Sequence, residues 1–193
     1  VRDYPIKSEN VIAHIRKATQ GGVNLVNTHP FQRELWSRYW VFAHNGNLEG
    51  FSPPEGRYYR PVGCTDSERA FCFLLDTLRQ RFEHEPPFVE FYRVVSDTVG
   101  WIRRHGTFNF ILSNGKFMLA HCSTRLYYLT RQAPFATAHL VDDDLSVDFS
   151  ELTTSNDRVT VIATQPLTDN ESWTAFQPDE LRVFKYGALL KSG

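Results

Sequence analysis

Between positions 10 and 16 the apolar residues alternate. Val11, Ala13 and Ile15 fall on one face and Ile12, His14 and Arg16 on the other, the pattern of a strand that ends at Arg16. Gly21 and Gly22 open a polar connection to Asn27-Thr28-His29-Pro30-Phe31. The aromatic-rich run Tyr39-Trp40-Val41-Phe42-Ala43 predicts a second strand, stopped by the turn signal Asn45-Gly46. Residues 51–61 are rich in Pro, Gly and Tyr, carry no period and predict a surface loop. The period then becomes helical: Thr65 and Glu68 have capping-box spacing, and Ala70, Phe71, Leu74, Leu75, Leu78 and Phe82 form an apolar stripe. A second helix begins near Pro87, repeats apolar positions at Phe88, Phe91, Val95, Val99 and Ile102, and meets a stop at Gly106. Segments 107–113 and 116–121 flank Asn114-Gly115, a strong hairpin signal. Further strands are predicted over 126–130, 136–141, 158–164 and 181–186.

Strands, then two helices, then strands, without repeats, predict an α+β fold with helices segregated from antiparallel sheets. The 193 residues are of a length that one domain fills, so a single domain over 1–193 is expected. With 41% hydrophobic and 22% charged residues the composition is that of a soluble globular protein, and no apolar run could span a bilayer. The 21 basic and 22 acidic residues leave a net charge of -1 and no basic stripe, which argues against a nucleic-acid partner. Cys64, Cys72 and Cys122 form no CxxC pair, and their odd number suits a reducing cytoplasm better than a disulfide framework. The first ten residues lack the apolar core of a secretory signal, and the chain opens on Val1 rather than Met, a hint of a longer polypeptide.

His14, His29 and His44 lack the short spacing of zinc motifs, and no cysteine or carboxylate completes a set, so buried, hydrogen-bonded histidines are expected and no metal or other cofactor. Cys64 beside Thr65 and Asp66 could suggest a thiol nucleophile, but an internal cysteine has no α-amine of its own to act as base, and it is read as incidental.

Three short segments carry a resemblance: His14-Ile15-Arg16-Lys17-Ala18-Thr19, Phe42-Ala43-His44-Asn45-Gly46-Asn47-Leu48 and Thr65-Asp66-Ser67-Glu68. In order and spacing they resemble class II glutamine amidotransferases, most closely the small stand-alone YafJ-like branch. The similarity continues through 27–31 and through Val161-Ile162-Ala163-Thr164-Gln165-Pro166-Leu167-Thr168-Asp169-Asn170-Glu171. The resemblance implies the N-terminal-nucleophile (Ntn) hydrolase fold, a four-layer αββα sandwich of antiparallel sheets, in which the mature N-terminal cysteine attacks the side-chain amide of glutamine and its own α-amino group serves as base.

Glutamine presents a carboxylate, an ammonium and a neutral amide, and each needs a different partner. Arg16 suits the carboxylate, because a guanidinium holds two carboxylate oxygens in a planar fork. Asp66 suits the ammonium as an ionised acceptor, and in the first turn of a helix it also complements the macrodipole. The side-chain N–H of Asn45 and the backbone N–H of Gly46 suit the oxyanion of the tetrahedral intermediate. Thr19 and His44 join Arg16 and Asp66 as substrate-binding residues through the family pattern. Lys17 departs from the aromatic residue that some relatives carry there. In relatives the nucleophile precedes everything in this chain, so an upstream segment beginning with Cys is expected. A degenerate descendant that only binds glutamine or a γ-glutamyl group, or regulates a partner, is the alternative. The expected substrate is glutamine or a γ-glutamyl peptide, with a homo-oligomer or a partner enzyme left open.

Overall fold

The structure, a computed structural model, describes residues 8–15, 24–141, 146–148 and 154–192. It divides into two compact units, residues 1–118 and 119–193. The first holds β1 (Phe31–Leu35), β2 (Arg38–Leu48), α1 (Asp66–Arg81), α2 (Phe88–Ile102) and β3 (Gly106–Ser113).

The two helices lie where the apolar period places them. In α1 the stripe Ala70, Phe71, Leu74, Leu75 and Leu78 is fully buried, and in α2 so are Val95 and Ile102. That stripe faces one side of the sheet. Phe42 stacks flat on Phe71 with centroids 5.0 Å apart, Phe110 lies 5.5 Å from Phe42, and Trp40 meets Phe91 at 5.3 Å. Each such ring pair contributes about 0.5–1.5 kcal/mol beyond the area it buries. Arg103–His105 tighten the end of α2 into a 3-10 turn, and Gly106, at φ 145°, makes the expected stop.

Three expectations change. No strand forms over 10–15. Val11 and Ile15 stay 69% and 99% exposed, and Asn10 bonds through its side chain to the Gly115 carbonyl at 2.8 Å. Alternation supplies a face, but a strand also needs a ladder partner. Gly21 and Gly22 lie outside the described residues.

The second change is at Asn45-Gly46, where β2 does not stop. It runs to Leu48, paired antiparallel with β3 from Val41↔Ser113 to Leu48↔Gly106. The turn that this dipeptide signals needs left-handed backbone at both positions. Neither residue is among those with positive φ, and the ladder continues across both.

The third is an added strand. β1 pairs with β2 from Phe31↔Phe42 to Leu35↔Arg38, through a two-residue turn of Trp36 at φ 55° and Ser37 at φ 60°. Left-handed backbone costs a residue with a Cβ roughly 1–2 kcal/mol. Local bonds offset the cost: Ser37 N donates to the Glu34 carboxylate, and Trp36 Nε1 donates to the Phe82 carbonyl at 3.3 Å.

The second unit is built of strands. β4 (Met118–Cys122), β10 (Glu180–Lys185) and β11 (Ala188–Ser192) are neighbours in order. β5 (Tyr127–Gln132) sits between β8 (Arg158–Ala163) and β9 (Thr174–Ala175), and β6 (Thr137–His139) pairs with β7 (Ser146–Asp148). The Thr168-Asp169-Asn170-Glu171 stretch ties these strands together. Glu171 takes two bonds from Arg131, at 2.7 and 2.6 Å, and Asn170 accepts from His139 N while donating to the Thr137 carbonyl. Arg131, chiefly by hydrogen bonding, holds the Glu171 carboxyl below the usual glutamate range. Both units contain antiparallel strands and both long helices belong to the first, so the class is α+β.

Candidate active site

The site grows from the junction of β2 and the first turn of α1. Thr65 caps the helix, its hydroxyl accepting from Glu68 N at 3.1 Å. The other half of a capping box is missing. Instead of returning to Thr65, the Glu68 carboxylate reaches further back to Val62 N at 3.0 Å and Gly63 N at 2.7 Å, and it pairs with Arg33 on β1. Glu68 is buried, so the loop before the helix is shaped around an internal anion. Asn27 completes the clamp, its Oδ1 accepting from Cys64 N at 3.0 Å. A Cβ on Gly63 would lie 2.3 Å from that same Asn27 oxygen, which explains the glycine.

Held this way, Asp66 turns one oxygen to Leu48 N at 2.8 Å and the other to Ser67 N at 2.8 Å. An ionised carboxylate has acceptor positions beyond those two, so it can still receive an ammonium. It borders a cleft of about 420 Å³ with Asn47, Leu48, Phe51, Cys64 and Arg69. Asn45 and Gly46 are exposed three and two positions up the strand from Leu48 and do not line that cleft.

His44 faces the other way, into the helical layer, and is 2% exposed. Its Nε2 lies 3.0 Å from the Thr107 carbonyl and its Nδ1 2.8 Å from the Ser67 hydroxyl. A carbonyl only accepts, so Nε2 carries the hydrogen, and in a neutral ring Nδ1 then accepts from Ser67. Burial keeps the ring neutral by lowering its pKa below 6.5, against the opposing pull of the Thr107 bond and the Asp66 charge. His44 therefore has the buried, fully bonded character expected of the histidines, and whatever it does for a substrate passes through its neighbours. The His14 and His29 rings lie with centroids 4.3 Å apart, tilted by 32°. Among the described residues no three His, Cys, Asp or Glu side chains converge as metal ligands.

Arg16 and Thr19, with Lys17, lie outside the described residues. Cys64 is exposed at the cleft, while burial raises the thiol of Cys72 to about 11 and that of Cys122 above its ordinary value. Sequence reasoning missed Asn27, Ser67 and the true targets of Glu68. The signal was four successive polar residues, 65–68, opening a helix whose next turns are apolar.

A sequence model of the family described as "Glutamine amidotransferases class-II" matches residues 1–193. The chain belongs to the class II glutamine amidotransferases. It is 52% identical over 188 residues to "Putative glutamine amidotransferase YafJ" of Escherichia coli (strain K12), covering 97% of this chain and 74% of that protein. To "Putative glutamine amidotransferase" of Haemophilus influenzae it is 50% identical over 187 residues, covering 97% of this chain. The chain spans 64% of that relative's length. Among solved structures, the 2.0 Å crystal structure of a "predicted glutamine amidotransferase" from Pseudomonas aeruginosa PA01 superposes with TM-score 0.84 at 50% identity, covering 92% of this chain and 70% of that one. The YafJ-like resemblance and the Ntn-hydrolase type of fold expected from it both hold. Among the described residues of this amidotransferase no helix is long and apolar enough to cross a membrane.

Proposed function

We propose that the protein hydrolyses a γ-glutamyl amide, glutamine or a γ-glutamyl peptide, by attack of an N-terminal cysteine thiol carried upstream of Val1. The observation that carries the reading is Asp66. Its carboxylate is fixed on β2 at Leu48, beside an open cleft and two positions along the same strand from Gly46. In the proposed reaction Asp66 takes the substrate ammonium and Arg16 its carboxylate, with Thr19 as a further substrate-binding residue. The thiolate forms a bond to the amide carbon, and the carbonyl electron pair moves to an oxygen held by the Asn45 side chain and Gly46 N–H. The α-ammonium of the cysteine returns the proton to the leaving nitrogen, ammonia or an amine departs, and water cleaves the thioester to release glutamate. Ammonia acceptors and partner enzymes are not needed for these steps.

The test uses protein expressed from its complete gene, with glutamate and ammonia release measured against glutamine. Asp66→Asn is expected to raise KM at least tenfold, since a charge-assisted bond contributes about 1.5–3 kcal/mol. A protein with no glutaminase activity and no glutamine binding by calorimetry would overturn the proposal.

A further inference from the structure

Three hydrogen bonds close a ring between β2 and α1, and a fourth ties it to β3. Thr107 O accepts from His44 Nε2, His44 Nδ1 accepts from Ser67 Oγ, Asp66 Oδ1 accepts from Ser67 N, and Asp66 Oδ2 accepts from Leu48 N. The ring touches β2 at His44 and at Leu48, the two residues that bracket Asn45-Gly46-Asn47. A strand pinned on both sides of three residues cannot shift those three without breaking one of the pins. Gly46 belongs to the same device, because a Cβ there would lie 2.6 Å from His44 Nε2 and 2.0 Å from Thr107 O. The bare glycine is what lets the imidazole pass over the strand to the carbonyl on β3.

We infer that Ser67 and His44 are positioning residues that set the distance between the ammonium-binding carboxylate of Asp66 and the oxyanion donors of Asn45-Gly46. The inference rests on the reaction proposed above and adds to it two residues that never touch substrate. A substrate held at one end by Asp66 presents its amide oxygen at a fixed distance along the molecule. The donors help only if they wait at that distance, and misplacement by about 1 Å can cost orders of magnitude in rate. Ser67 contributes twice, through its hydroxyl to His44 and through its backbone N–H to Asp66. Ser67 is 5% exposed, and its hydroxyl lies 2.8 Å from His44 Nδ1 against 3.4 Å from Asp66 Oδ1, so the shorter contact takes its hydrogen.

The experiment compares Ser67→Ala and Ser67→Thr with the parent, in protein from the complete gene, by steady-state glutamine hydrolysis. Ser67→Ala leaves Asp66 and its bond to Leu48 in place and releases only the pin at His44, so kcat should fall about tenfold while KM changes less than twofold. Ser67→Thr keeps the hydroxyl and should recover at least half of the parent kcat. An alanine variant within twofold of the parent kcat, or a threonine variant as slow as the alanine one, overturns the inference. So does a rise in KM at unchanged kcat, the mark of uniform binding lost. The Asp66→Asn variant separates the two levels. If its KM equals the parent's, the ammonium reading of Asp66 fails. If its KM rises while Ser67→Ala behaves as the parent, only the positioning role fails. Should the alanine variant not fold, long-range proton–nitrogen spectra of the parent decide: His44 is expected as the Nε2–H tautomer with Nδ1 accepting, and a hydrogen on Nδ1 overturns the ring.

Discussion

Asn45-Gly46 and Asn114-Gly115 are the same dipeptide used in two ways within one unit. At 114–115 the chain turns. Gly115 sits at φ 84° with open space where a Cβ would be, and the Asn114 side chain accepts from Lys116 N at 3.0 Å. At 45–46 the chain runs straight through a ladder. Gly46 has no need of left-handed backbone, but its missing Cβ clears the path of an imidazole. One glycine supplies a conformation and the other a vacancy. The dipeptide signals a turn only where no partner strand claims it.

The comparison breaks most sharply on alanine. Gly46→Ala drives a Cβ into backbone at 2.0 Å, and the neighbour cannot yield without parting β2 from β3, so a loss of about 3 kcal/mol is expected in urea unfolding. A change under about 1 kcal/mol would show that the β3 backbone does not approach Gly46 so closely. Gly115→Ala should cost less, about 1–2 kcal/mol, all of it backbone strain. Gly115→Asn should be milder again, since asparagine tolerates that region, whereas Gly46→Asn should be no better than alanine. Equal ranking at the two sites would mean that one mechanism governs both.

The smallest effect is one of slope. Because burial lowers the His44 pKa in the folded protein, the unfolded chain takes up a proton the folded one refuses. Stability should therefore fall as pH drops below about 6.5 and level off once pH passes beneath the depressed folded value. His44→Gln, which cannot titrate, should flatten that part of the curve, read as urea midpoints at pH 7.5 and 5.5. Identical slopes would refute the buried neutral ring.

What the sequence disclosed follows from range. The stripe of α1, its cap at Thr65, the stop at Gly106, the turn at Gly115 and the strands at β5, β6, β8 and β10 depend on residues within a few positions of one another, and these were legible. β1 was not, because its two-residue turn is made by Trp36 and Ser37, without the glycine or asparagine that marks such loops in sequence. The length of β2 is decided by β3, more than sixty residues later in the register His44↔Phe110. Asp66 was read from its type and family setting, and its tie to Leu48 could not be. Nor could the reach of Glu68 to Val62, Gly63 and Arg33, which local spacing assigns to Thr65 instead.

That reach has a consequence for sequence drift. Glu68 is a buried anion whose only cationic contact among the described ion pairs is Arg33 on β1, itself only 23% exposed. Replacing Arg33 alone strands a charge, and replacing Glu68 alone strands two backbone donors and a guanidinium. Intermediates on any route that alters one residue at a time are thus less fit to fold than either end point. Positions 33 and 68, thirty-five residues apart, should mutate as a pair or stay as they are, and a double-mutant cycle across them should be far from additive.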